Sequence, residues 1–76
     1  MNTIRMTTEL EGHMWRITGD QKQGVFRCHL IELLGNQRQD VPLTRKLNQK
    51  LRLAVARALC VEVDAVKPIS TDLILS

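Results

Sequence analysis

Aromatic side chains are nearly missing from this chain, which has one Trp, one Phe and no Tyr in 76 residues. Trp15 and Phe26 are therefore expected to form the bulk of a small apolar centre, and no row of exposed rings is left to stack on single-stranded bases. Cysteine is equally sparse: Cys28 and Cys60 are too few for a disulfide-stapled mini-protein and show no Cys-x-x-Cys spacing. No apolar run approaches the roughly 18 residues of a membrane span. Arg5, Glu9 and Glu11 interrupt any secretory apolar segment near the N-terminus. The expected location is the cytoplasm, with no membrane partner. The four glycines, at 12, 19, 24 and 35, are too dispersed for a loop that cradles phosphate.

What is present suits a folded domain. The composition is 43% hydrophobic and 25% charged, which is neither apolar-poor nor charge-rich enough for disorder. A chain of this length is expected to form one unit across residues 1–76, burying about 60% of its unfolded surface around a thin core.

The N-terminal half alternates with period two, as half-buried strands do. Ile4, Met6, Thr8 and Leu10 alternate with Arg5, Thr7 and Glu9; Glu11 and Gly12 suit a tight turn; His13, Trp15 and Ile17 then alternate with Met14, Arg16 and Thr18. Residues 19–24 are polar and predict the next reversal, before Phe26, Cys28 and Leu30 alternate with Arg27, His29 and Ile31. A first turn at Glu11 and Gly12 sets Met6 opposite Ile17 and Thr7 opposite Arg16. A second turn centred between Gln21 and Lys22 would set Ile17 opposite Phe26 and Arg16 opposite Arg27. One face then collects Ile4, Met6, Leu10, Trp15, Ile17, Phe26, Cys28 and Leu30. The other collects Arg5, Thr7, Arg16, Thr18, Arg27 and His29. Apolar neighbours from Leu30 to Leu34 suggest a bulge or burial on both faces.

Residues 35–40 form the clearest loop, and a helix over 43–59 follows, with Asp40 or Thr44 as its cap and Pro42 near its start. Leu43, Leu47, Leu51, Ala54, Val55 and Ala58 recur at helical spacing and should pack on the sheet, leaving Arg45, Lys46, Lys50, Arg52 and Arg57 on the other side. Pro68 excludes a central strand, so residues 69–75 read as a short edge strand or an extended arm. The fold class expected is α+β: a three-stranded antiparallel meander packed on one long helix of the C-terminal half, in the order β-β-β-α-β.

Catalytic chemistry is not grouped in the sequence. Ser70 and Ser76 have no histidine nearby, and carboxylates are scattered rather than paired, so no enzyme is expected. Cys28 and His29 are neighbours on a strand and point to opposite faces. Two cysteines and two histidines raise the question of zinc, but in this register they are spread over three faces; no metal site and no cofactor is expected. His13 reads as a sheet-end residue. The stretch Ala58, Leu59, Cys60, Val61, Glu62, Val63, Asp64, Ala65, Val66, Lys67, Pro68 is similar to the helix-to-turn segment of acyl carrier proteins and to the middle of some helix-turn-helix repressors. The Asp-Ser-Leu attachment motif of the carriers is absent, since Ser70 is followed by Thr71. Pro68 and a β-rich tail leave no recognition helix.

Charge distribution carries the functional expectation. The net charge is +3, yet residues 41–61 contain five bases and no acid, a basic helix side on which Leu53 and Cys60 also fall. Something apolar is expected to cover Leu53: the C-terminal segment, a second copy, or a partner. Each strand adds one arginine to the sheet's outer face. The leading expectation is a non-enzymatic module binding duplex DNA through Arg5, Thr7, Arg16, Thr18 and Arg27. The alternative is a small protein-binding regulator or inhibitor of the kind encoded by phages and mobile elements, acting through Lys46, Lys50, Leu53, Arg57 and Cys60 or through the terminal strand. A homodimer is expected in either case.

Overall fold

The computed structural model describes residues 3–35, 44–70 and 74–75. Three antiparallel strands, β1 (Thr3–Leu10), β2 (His13–Lys22) and β3 (Val25–Leu34), precede one helix, α1 (Arg45–Leu59), in an α+β arrangement. A 3-10 turn (Val63–Ala65) follows. A two-residue strand, β4 (Ile74–Leu75), lies parallel to β3 opposite Ile31 and Glu32, so the sheet order is β1-β2-β3-β4. Residues 67–70 carry no strand. The expected loop over 36–40, the Asp40 cap, Pro42, Leu43 and Leu73 lie outside the described residues.

Both hairpins close on two-residue turns in which each central residue has positive φ: Glu11 (55°) with Gly12 (74°), and Gln23 (53°) with Gly24 (77°). This is the turn whose twist matches that of paired strands. The first hairpin has the expected register, Met6 opposite Ile17 and Thr7 opposite Arg16. The second does not. Asp20, Gln21 and Lys22 belong to β2, not to a reversal, and the turn sits two residues later at Gln23 and Gly24. Phe26 therefore faces Gln21, and Arg27 faces Asp20.

A bulge then shifts the register again. Gly19 pairs with Cys28 and Thr18 with Leu30, which leaves His29 as the extra residue. Beyond it the parity of β3 reverses, so Ile31 and not Leu30 faces the core, opposite Ile17. Leu30 lies on the outer face opposite Thr18. A bulge or burial on both faces was expected over the apolar run from Leu30 to Leu34; the extra residue is His29, just before that run.

The core joins Trp15, Ile17, Phe26 and Ile31 of the sheet to Leu47, Leu51, Val55 and Ala56 of α1, with Val66 and Ile69 from the segment after it. Trp15 donates its indole N–H to the Leu10 carbonyl at 3.2 Å, which satisfies the one polar atom of a fully buried ring. Thr44 caps α1, its hydroxyl accepting from the Leu47 N–H at 3.1 Å. The buried stripe is rotated from the expected one: Ala56 is buried while Ala58 is exposed and Ala54 only half-buried. The cause is the segment after α1, which folds back along the helix. Asn48 donates to the Ile69 carbonyl and accepts from its N–H, at 2.6 and 3.2 Å. Arg52 donates to the Val66 and Val63 carbonyls, at 2.9 and 3.3 Å. Arg52 therefore ties the chain together and is not part of the free basic side.

Two backbone positions generate opposite predictions. A Cβ on Gly19 would lie 2.2 Å from the Arg27 carbonyl oxygen and 2.6 Å from the Phe26 ring, so Gly19→Ala should destabilise by about 1–3 kcal/mol. Cys60 closes α1 in the left-handed region (φ 57°, ψ 43°), with the Val61 N–H bonded to the Ala56 carbonyl. Glycine is preferred there, so Cys60→Gly should stabilise by about 0.5–1 kcal/mol. Urea unfolding of the two variants measures both.

Candidate nucleic-acid interface

The face of the sheet turned away from α1 carries the five residues expected to bind there; His29, expected on the same face, is the unpaired residue of the bulge. Successive rows across β1, β2 and β3 read Thr3, Asp20, Arg27; Arg5, Thr18, Leu30; Thr7, Arg16, Glu32; and Glu9, Met14, Leu34. Arg5 thus sits beside Thr18, and Thr7 beside Arg16. The expected neighbourhood of Arg16 and Arg27 is absent, because the later turn and the bulge set each against a carboxylate-bearing residue instead of against the other. At one end of the face Met14, 40% exposed, and Leu34 lie side by side, next to Glu9.

Arg16 is already engaged. Its Nε and Nη2 donate to the two carboxylate oxygens of Glu32, each at 2.8 Å. This two-pronged bond holds the Glu32 carboxyl below its ordinary range, helped by the charges of Arg16 and Arg5, and raises Arg16 still further. The guanidinium keeps its charge, but Glu32 balances it and already takes its Nε and Nη2 donors. Thr18 Oγ1 is buried and has no hydrogen-bond partner among the described residues.

The opposite end of the face is cationic. Where β2 and β3 turn, a cleft of about 460 Å³ is lined by Asp20, Lys22, Val25, Arg27, His29 and Lys67. Lys67 reaches it because its N–H bonds the Phe26 carbonyl at 3.0 Å, beside a parallel bridge between Val66 and Phe26. Among the described residues the only carboxylate lining the cleft belongs to Asp20, which accepts from the Thr3 hydroxyl at 3.4 Å and lies 2.6 Å from His29 Nε2. Among the described residues no ion pair occupies Lys22, Arg27 or Lys67. Sequence reading missed Lys22, Lys67 and His29 as a group. A turn placed at Gln23 and Gly24 would have brought Lys22 and Arg27 to one end; nothing in the sequence places Lys67 there.

The residues of the alternative reading flank β1. A groove of about 440 Å³ between β1 and α1 is lined by Leu10, Lys50, Leu53, Ala54 and Arg57 among others. Leu53 is 40% exposed, Lys46 and Arg57 are exposed, and Lys50 pairs with Glu11. The bond to Lys50 and its charge lower the Glu11 carboxyl. Cys60 is exposed at the helix end, apart from this groove. Cys28 is half-buried on the core side, where burial pushes its thiol up. His13 sets its ring edge-on to Trp15, centres 6.3 Å apart. His13 pairs with Leu10 at the start of β2, whereas Cys28 pairs with Gly19, six residues further along that strand.

Among the described residues no group of three or more His, Cys, Asp or Glu side chains is placed to hold a metal ion. No described helix is long and apolar enough to cross a membrane. Compared with known protein families, curated protein sequences and solved structures, the chain matches none.

The Glu32 carboxyl, held below its ordinary value of 4.5, generates a pH prediction. A carboxylate favoured by folding contributes stability that is present above its unfolded value and lost as pH falls through the folded one. Stability should therefore decline on acidification below pH 4.5, and Glu32→Gln should flatten that decline while lowering stability at neutral pH. Urea midpoints across the acid range measure both.

Proposed function

We propose that this chain is a non-enzymatic module that binds nucleic acid, duplex DNA before RNA, through the outer face of its sheet. The observation that carries the reading is the cleft at the β2 and β3 turn, where Lys22, Arg27 and Lys67 converge with no ion pair among the described residues. Three cations against one carboxylate among the described residues suit a run of phosphates, which supply most of the affinity in such complexes. Among the described residues β1 pairs as far as Asp20, and the β2 and β3 hairpin runs on from that row to its turn. A two-stranded ribbon is narrow enough for a major groove about 12 Å wide. Arg5 and Thr18 lie one row inward and would be the next to meet the ligand. Trp15 and Phe26 are fully buried, which favours a duplex over unstacked bases. Arg16 has a positioning part: paired with Glu32, it fixes the register of the face and leaves the phosphates to its neighbours.

Titration of a labelled duplex at several salt concentrations tests this. The affinity should fall steeply with salt, and alanine at Lys22, Arg27 or Lys67 should each lower the logarithmic salt slope by about one unit. Arg16→Ala should change the slope much less. Absence of salt-dependent binding, together with loss of a protein partner on Leu53→Asp, would instead favour the regulator reading.

A further inference from the structure

We infer that the open edge of β1 is a self-pairing surface, and that a second copy of this chain adds its own β1 there antiparallel, centred on Thr7. The far edge of the sheet is occupied: β3 meets Val66, the Lys67 N–H and β4. β1 is the terminal strand at the other side, with no described residue paired along its outer edge. Over its eight residues it contains no proline and no lysine, and its register with β2 runs without a bulge. Those are the devices by which a sheet edge is normally protected against pairing with another chain.

The backbone directions fix which groups are offered. The pair of Leu10 with His13 closes a two-residue turn and is therefore hydrogen-bonded, so by alternation Thr8, Met6 and Ile4 bond β2 as well. The N–H and C=O groups of Glu9, Thr7, Arg5 and Thr3 then point away from β2. A twofold axis makes residue i meet residue j and j meet i. Centring that axis on Thr7 opposes three outward-pointing residues to three: Arg5 to Glu9 of the second copy, Thr7 to Thr7, and Glu9 to Arg5. Both charges are matched twice, and Thr with Thr is itself a favourable cross-strand pair. On the core side the same register opposes Ile4 to Leu10, extending an apolar face that is only partly covered within one chain. No other register does this. Moving the centre one residue either way sets Thr7 against Arg5 or against Glu9, and centring on Arg5 or on Glu9 opposes like charges.

The inference is independent of nucleic acid, and its test contains none. Sedimentation equilibrium through the micromolar range should show a reversible dimer. Arg5→Glu and Glu9→Arg should each weaken it about tenfold or more, because each reverses two pairs, whereas the double variant should restore it to within a few-fold. Thr7→Pro removes the central outward N–H without touching a bond to β2, so it should give a monomer with unchanged circular dichroism. A monomer at all these concentrations, or a dimer indifferent to both reversals and to Thr7→Pro, overturns the inference. So does a dimer lost on Leu53→Asp but kept by Thr7→Pro, which would place the contact on α1.

Discussion

The close approach of β3 to Gly19 is the constraint on which the rest of the sheet depends. The Phe26 ring and the Arg27 carbonyl occupy the space a side chain at 19 would need. Directly beside this contact the register slips by one residue, leaving His29 unpaired. The slip decides which half of an apolar strand end turns inward. With it, Ile31 seals against Ile17, and Glu32 is carried to the outer face in reach of Arg16. Without it, Glu32 would face the core and Arg16 would lack its partner, at a cost set by burying a carboxylate. One small residue thus links the core to the charge pattern of the opposite surface.

A second dependence runs through the segment after α1. A core drawn from a 76-residue chain is thin, and here it is completed by Val66 and Ile69, which come from neither the three-stranded sheet nor the helix. They are held by side chains of α1 that bond main-chain groups: Asn48 at Ile69 and Arg52 at Val66. This explains why the buried stripe turns toward Ala56 and why Leu53, on the far side, stays uncovered. The same segment sets Lys67 beside Phe26 and so supplies one third of the cations in the cleft.

The alternation of β1 and β2, their turn and register, the helix with Thr44 as one of two candidate caps, and the identity of most core residues were legible in the sequence, because each rests on local periodicity or turn chemistry. What was not legible depends on non-local geometry. Polar Asp20, Gln21 and Lys22 read as a turn because nothing local shows that their strand continues; Gln23 in a left-handed conformation is a weaker turn signal than Asn or Asp. The candidate site inherits that error. The five candidate binding residues were placed on the correct face, but which of them are neighbours depends on the second turn and the bulge, and Lys67 depends on a contact forty residues distant in sequence.

The corrected neighbours change what the charges can do. Arginines set side by side would need an anionic ligand merely to relieve their repulsion. The observed pattern needs none in the middle of the face, where Glu32 neutralises Arg16, and concentrates uncompensated charge at one end. A face built this way is polarised along its strands, with cations at the β2 and β3 turn and Met14 with Leu34 at the other end. A twofold axis through the centre of β1 would set two such faces in opposite directions, with their cationic ends outermost and their Met14 ends displaced from each other. The spacing of the cationic ends would then be set by the width of six strands, and this geometry, more than any single arginine, would determine how far apart along a duplex the two contacts fall.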